Sequence, residues 1–183
     1  EAGDVTLKSI GTGDNNPMVL TLQTAETDIA ADDVIAKIDF QAPDEGTGTD
    51  AITVAASIRA VSEGDFAADN NATSLQINTA ASAAAASGAD GGRLLLDSTG
   101  NLFLKDLRTA DGSSPTITLQ SGDTDIASAD VLGKISFQAP DEGTGTDAIL
   151  VAASISAISE GDFAADNNAT KLSFATGASE TAA

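Results

Sequence analysis

Residues 34–60 read VIAKIDFQAPDEGTGTDAITVAASIRA, and their hydrophobic pattern repeats every second residue. In an extended chain Val34, Ala36, Ile38, Phe40 and Ala42 fall on one face, and Ile35, Lys37, Asp39 and Gln41 on the other. Pro43-Asp44-Glu45-Gly46-Thr47-Gly48-Thr49-Asp50 interrupts this alternation with turn-forming residues. It resumes with Ile52, Val54, Ala56, Ile58 and Ala60, opposed by Thr53, Ser57 and Arg59. The pattern predicts a long antiparallel hairpin with an acidic loop at its tip. Beyond it, SEGDFAADNNAT at residues 62–73 leads to a third strand with Leu75 and Ile77 facing inward. Ahead of the hairpin, Leu20 and Leu22 mark a shorter strand.

The same text returns 97 residues later without a gap: FQAPDEGTGTDAI occupies residues 40–52 and 137–149, and SEGDFAADNNAT residues 62–73 and 159–170. Exchanges between the copies test the assignment of faces. Asp39/Ser136, Thr53/Leu150, Arg59/Ser156 and Ser74/Lys171 lie on the expected outer face. Ile38/Ile135, Phe40/Phe137, Ile52/Ile149, Val54/Val151 and Ile58/Ile155 on the inner face are unchanged, with Ala36/Gly133 a small exception. A half-buried antiparallel sheet requires this division. Duplication of one unit points to a modular array, which gains length or multivalency from each added copy.

Between the copies, residues 79–92 read TAASAAAASGADGG. Alanine favours helix, but an isolated helix this short is marginal and the glycines end it early, so a connecting loop is expected. Leu94-Leu95-Leu96 and Leu102-Phe103-Leu104 flank Asp97-Ser98-Thr99-Gly100-Asn101, a second and tighter hairpin. The organisation expected is therefore one repeat unit at 1–82, a connector with a tight hairpin at 83–103, and a second unit at 104–183 that stops before its own tight hairpin. The fold class expected is all-β, built of tandem antiparallel hairpins and small sheets. The inner face is rich in alanine and buries little area per strand, which favours further burial against partner chains.

Composition narrows the chemistry. Of 183 residues, 28 are Asp or Glu and 8 are Lys or Arg, giving a formal net charge of −20, and there is no His, Cys, Trp or Tyr. Disulfides, thiol nucleophiles, His-centred triads and zinc fingers are excluded. Polyphosphate binding needs clustered cations, so no nucleic acid partner is expected. No apolar run is long enough to span a bilayer as a helix, and no membrane insertion is expected.

The order of these pieces resembles the repeats of bacteriophage tail fibre and tail spike proteins of the marine phage type. Residues 37–60 with 75–82, and 134–157 with 172–179, match the hairpin followed by a strand of L-x-F-x-T type. Residues 93–102, RLLLDSTGNL, match the R-x-D-x-x-G-N element, although Phe103-Leu104-Lys105 replaces its usual G-I-G-T ending. The resemblance implies an elongated parallel homotrimer within a virion, contact with other tail proteins, attachment to a host surface glycan or protein receptor, and no cofactor; no enzymatic activity is expected. A repeat module of a bacterial extracellular filament or cell-surface adhesin, binding glycan or like subunits, is the alternative.

Several residues could carry chemistry. Asp44/Glu45, Glu63/Asp65, Asp141/Glu142 and Glu160/Asp162 are carboxylate pairs of the kind a glycosidase uses, but the aromatic platforms that usually hold sugars are scarce. The oxygen-rich segments 64–71 and 161–168 could hold calcium, yet their spacing is not that of an EF-hand, and Asx-turn loops capped by their own side chains are expected instead. Asn71 and Asn168 each begin an N-x-T acceptor pattern for glycosylation, and Phe66 and Phe163 are expected to anchor their loops on the sheet. No catalytic, cofactor or metal residue is assigned.

Overall fold

A computed structural model describes residues 3–41, 53–81, 92–139 and 150–178. Among them the chain is all-β, without a helix, and forms two antiparallel sheets. The first contains β1 (Val34–Gln41), β2 (Val54–Ser62), β3 (Thr73–Thr79), β4 (Gly92–Leu96) and β5 (Leu102–Asp106) in sequence order. The second contains β6 (Val131–Gln138), β7 (Val151–Ser159) and β8 (Thr170–Thr176), again in sequence order. The bounds of β6, β7 and β8 are those of β1, β2 and β3 advanced by 97 residues.

The two sheets belong to separate compact units, residues 1–115 and 116–183. The tight hairpin is part of the first unit and not a connector, because β4 pairs with β3 from Leu75↔Leu96 to Thr79↔Gly92.

Register puts the apolar residues in rows. Ile38, Ile58, Ile77, Leu94 and Leu104 are opposite one another across all five strands of the first sheet. Ala36, Ala60, Leu75, Leu96 and Leu102 form the next row on the same face. In the second sheet Ile135, Ile155 and Phe174 repeat the arrangement. Irregularities between Val34 and Ala36, and between Phe40 and Gln41, break the register of β1 with β2. The first brings Val34 opposite Val61, so the strict alternation expected from Val34 onward starts in register only at Ala36.

Leu20 and Leu22 do not form a strand. Leu22 instead lines a recess on the apolar face with Ala36, Ile38, Ile58, Ala60 and Leu75. Its counterpart Leu119, together with Ile117, lines the matching recess with Gly133, Ile135, Ile155 and Leu172. Leu22 reads as a strand residue in sequence because it serves the apolar face, but it covers that face from above and does not extend it sideways, and Leu20 is exposed.

A loop network joins the segment before each first strand to the end of the second. The Ser62 hydroxyl donates to the Ala30 carbonyl and accepts from Asp33 N at 3.0 Å. Backbone bonds from Asp32 N to Ser62 O at 3.0 Å and from Ser62 N to Asp33 O at 2.9 Å complete it. Ser159, Ala127, Ala129 and Asp130 reproduce every one of these bonds in the second unit.

Candidate functional site

Among the described residues the apolar face of each sheet is left open within its unit. Ile38 is 44% exposed, Ile77 43%, Leu96 45% and Leu104 41%, although all four are in register with apolar neighbours. Val61 is the one large apolar residue that is fully buried among the described residues. Burial was expected on this face; within a single chain it lies on the other one, where Ser57, Ser74, Gln76 and Asn78 are buried. The reason is geometric. In the first sheet long side chains lie over the small polar ones, whereas the apolar rows rise toward solvent beside Leu22 in the first unit and beside Ile117 and Leu119 in the second.

Those long neighbours are arginines. Arg59 Nε donates to Gln76 Oε1 at 3.1 Å, its direct cross-strand partner. Arg93 Nε donates to Asn78 Oδ1 at 2.8 Å, likewise its cross-strand partner. The two guanidinium groups thus lean from β2 and β4 over the central strand β3. Burial, and secondarily the Arg93 charge, lowers the Arg59 pKa from its ordinary value. Among the described residues neither arginine pairs with a carboxylate. Asn78 is fully buried, yet its Nδ2 finds no acceptor, and Ser57 Oγ opposite it also has no partner. Beside Arg93 a recess of about 380 Å³ is floored by Leu95 and Phe103 and rimmed by Lys105.

The loop carboxylates are placed differently. Glu63 receives Ser98 N at 3.2 Å and the Ser98 hydroxyl. Asp65 receives Ala31 N at 3.3 Å. These two acids therefore fasten separate loops and do not form an acid–base pair. In the second unit Asp162 receives Ser128 N at 3.3 Å. Asp44, Glu45, Asp141 and Glu142 lie outside the described residues.

The oxygen-rich segment 64–71 is closed by its own side chains. Asn70 Nδ2 donates to the Asp65 carbonyl at 2.8 Å, and Ala72 N donates to Asn70 Oδ1 at 3.2 Å. Asn167 does the same with Asp162 and Ala169. No cluster of three metal-ligating side chains occurs among the described residues. Phe66 N donates to the Ile29 carbonyl at 2.8 Å and Phe163 N to Ile126 at 2.8 Å, so these loops are tied through the backbone while both rings stay partly exposed. Asn71 and Asn168 are exposed.

The tight turn has its own polar centre. Asp97 Oδ1 accepts from Thr99 N at 3.0 Å, the Thr99 hydroxyl at 2.8 Å and Asn101 N at 2.8 Å, and Oδ2 accepts from Asn101 Nδ2 at 3.0 Å. Bonds from Asn101, followed by those from Thr99, hold the Asp97 carboxyl down at about 2. Gly100 completes the turn at φ 87°, a conformation that favours glycine.

The arrangement over β3 escaped the sequence reading. Arg59 and Arg93 are 34 positions apart, and only the pairing of β2 and β4 with β3 brings them together. The chain matches no protein-family model, no curated protein and no solved structure.

Proposed function

We propose that the chain is a structural and host-attachment module of a phage tail fibre, in which like chains associate in parallel as a trimeric β-rod. The observation that carries this reading is the open aliphatic row Ile38, Ile58, Ile77, Leu94 and Leu104. Apolar area left in water gains about 25 cal/mol per Å² on burial, and a continuous face of this size marks an interaction surface. A copy of the same face, presented by an identical chain, offers the matching row of side chains at no cost in charge. Association also covers sheet edges that would otherwise pair unselectively. The function on this reading is mechanical: a stiff spacer with repeated lateral surfaces.

Light scattering of the purified chain tests it. A mass of about three times 18.1 kDa is expected. Ile77→Glu, which places a charge in the middle of the row, should reduce that mass to one chain. A folded monomer of the unmodified protein would refute the proposal.

A further inference from the structure

We propose that the polar face of the first sheet is a binding site for a carboxylated sugar of an acidic glycan, held between Arg59 and Arg93 with its ring over Leu95 and Phe103. That this face points outward rests on the trimeric reading above, which assigns the opposite, apolar face to like chains.

Neither Arg59 nor Arg93 pairs with a carboxylate among the described residues, so each charge is open to an external anion. Each has its Nε committed to an in-register amide oxygen, which fixes the guanidinium plane and leaves the Nη groups directed away from that bond. Two forks held near each other, at a mutual electrostatic cost, suit one shared oxyanion. Asn78, fully buried beneath Arg93, holds that guanidinium through its Oδ1 at 2.8 Å. A neutral ligand would leave the two like charges uncompensated.

The remainder of the site selects for more than charge. The recess of about 380 Å³ beside Arg93 is within the usual range for small-ligand pockets, about 300–1,000 Å³. Leu95 and Phe103 are in register and give an apolar floor, and Lys105 stands in register with Arg93 at its rim. A flat apolar floor with a cationic rim fits a ring that has one greasy face and one carboxylate.

The second sheet lacks the device. At the positions of Arg59, Gln76 and Asn78 it has Ser156, Ser173 and Ala175. The three shared strands keep the same framework, so that framework does not require the Arg59–Gln76 pair. Its presence in one unit fits a role beyond folding.

Titration calorimetry on the full chain at low salt provides the test, with trigalacturonate and sialyllactose as probes and neutral galactotriose and lactose as controls. At least one carboxylated probe should bind with one site per chain, at least about tenfold more tightly than its neutral control. Arg59→Ser, which installs the residue of the second unit, and Arg93→Gln should each weaken binding about tenfold or more with an unchanged melting curve. Phe103→Ala should weaken it less. The proposal is overturned if neither carboxylated probe binds at millimolar concentration, if neutral sugars bind equally, or if both arginine variants keep full affinity. Light scattering on the same samples separates this site from the fibre reading. A monomer that binds supports the site and removes the trimer, and a trimer that does not bind removes the site alone. Loss of assembled mass on Arg59→Ser would assign the guanidinium to a carboxylate of a second copy and overturn the glycan proposal.

Discussion

A Cβ placed on Gly133 would sit 2.6 Å from the Cβ of Leu119, closer than side chains approach one another. Leu119 therefore rests directly on the backbone of β6, and the glycine is what admits it. The first unit has Ala36 at the matching position below Leu22, so the covering segment there already accommodates one more carbon.

Gly133→Ala should consequently displace the segment that carries Leu119 and destabilise the second unit by about 1–3 kcal/mol, the usual penalty for overpacking. Urea unfolding of the full chain measures this. A variant as stable as the parent would mean that the segment slides without cost and that Leu119 contributes little to covering the apolar face.

Ser62 and Ser159 each close a loop by donating to one carbonyl and accepting from one amide. Both are almost completely buried. Replacement by alanine removes both hydroxyl bonds and leaves the Asp33 amide with the Ala30 carbonyl, and the Asp130 amide with the Ala127 carbonyl, held only by their mutual bond at 3.3 Å. Ser62→Ala and Ser159→Ala should each destabilise by about 1–3 kcal/mol, the net worth of two hydrogen bonds. Since the two lie in different units, their effects should add in the double variant. Strong non-additivity in denaturant melts would show that the units do not unfold independently.

Asp32 and Ala129 hold equivalent turn positions at φ 70° and 76°. Aspartate tolerates this left-handed conformation through local hydrogen bonds, but alanine has no such compensation. Ala129→Gly relieves the strain and gives back part of the gain through a more flexible unfolded chain. A net stabilisation of about 0.5–1 kcal/mol is expected in the same melts. An unchanged or lowered midpoint would contradict the strain argument.

The strands and the faces were legible because period-two alternation and the internal copy state them twice. Ile38, Ile58 and Ile77 could be assigned to one face from spacing alone. Three features could not. Leu22 has the composition of a strand residue, and nothing local distinguishes pairing beside β1 from lying over it. Ser62 reaches Ala30, 32 positions upstream, through a loop geometry that depends on the irregular start of β1. The convergence of Arg59 and Arg93 depends on register across three strands, which shifts of one residue would destroy. Only the direction of burial was misjudged at the level of the sheet. An alternating pattern identifies an apolar face but not whether the covering comes from the same chain.

Asp97 supplies a pH-dependent prediction with an internal reference. Its carboxyl is held at about 2 by bonds to Asn101 and Thr99, whereas an aspartate in an unfolded chain titrates near about 3.9. A folded-state value below the unfolded one means that the turn is favoured by the ionised form. That contribution is complete above about pH 4 and is lost as the pH falls through about 2. The turn joining β4 and β5 should therefore loosen in this window. Backbone amide shifts of Thr99 and Asn101, followed by nuclear magnetic resonance, report it directly, because both amides bond the titrating oxygen. Amides in β6, β7 and β8 serve as the reference for general acid effects. Asp97→Asn removes the titrating charge and should flatten the transition at residues 99 and 101 while leaving the reference unchanged. A midpoint near the unfolded value in the parent protein would show that the carboxylate is not held by these bonds in solution.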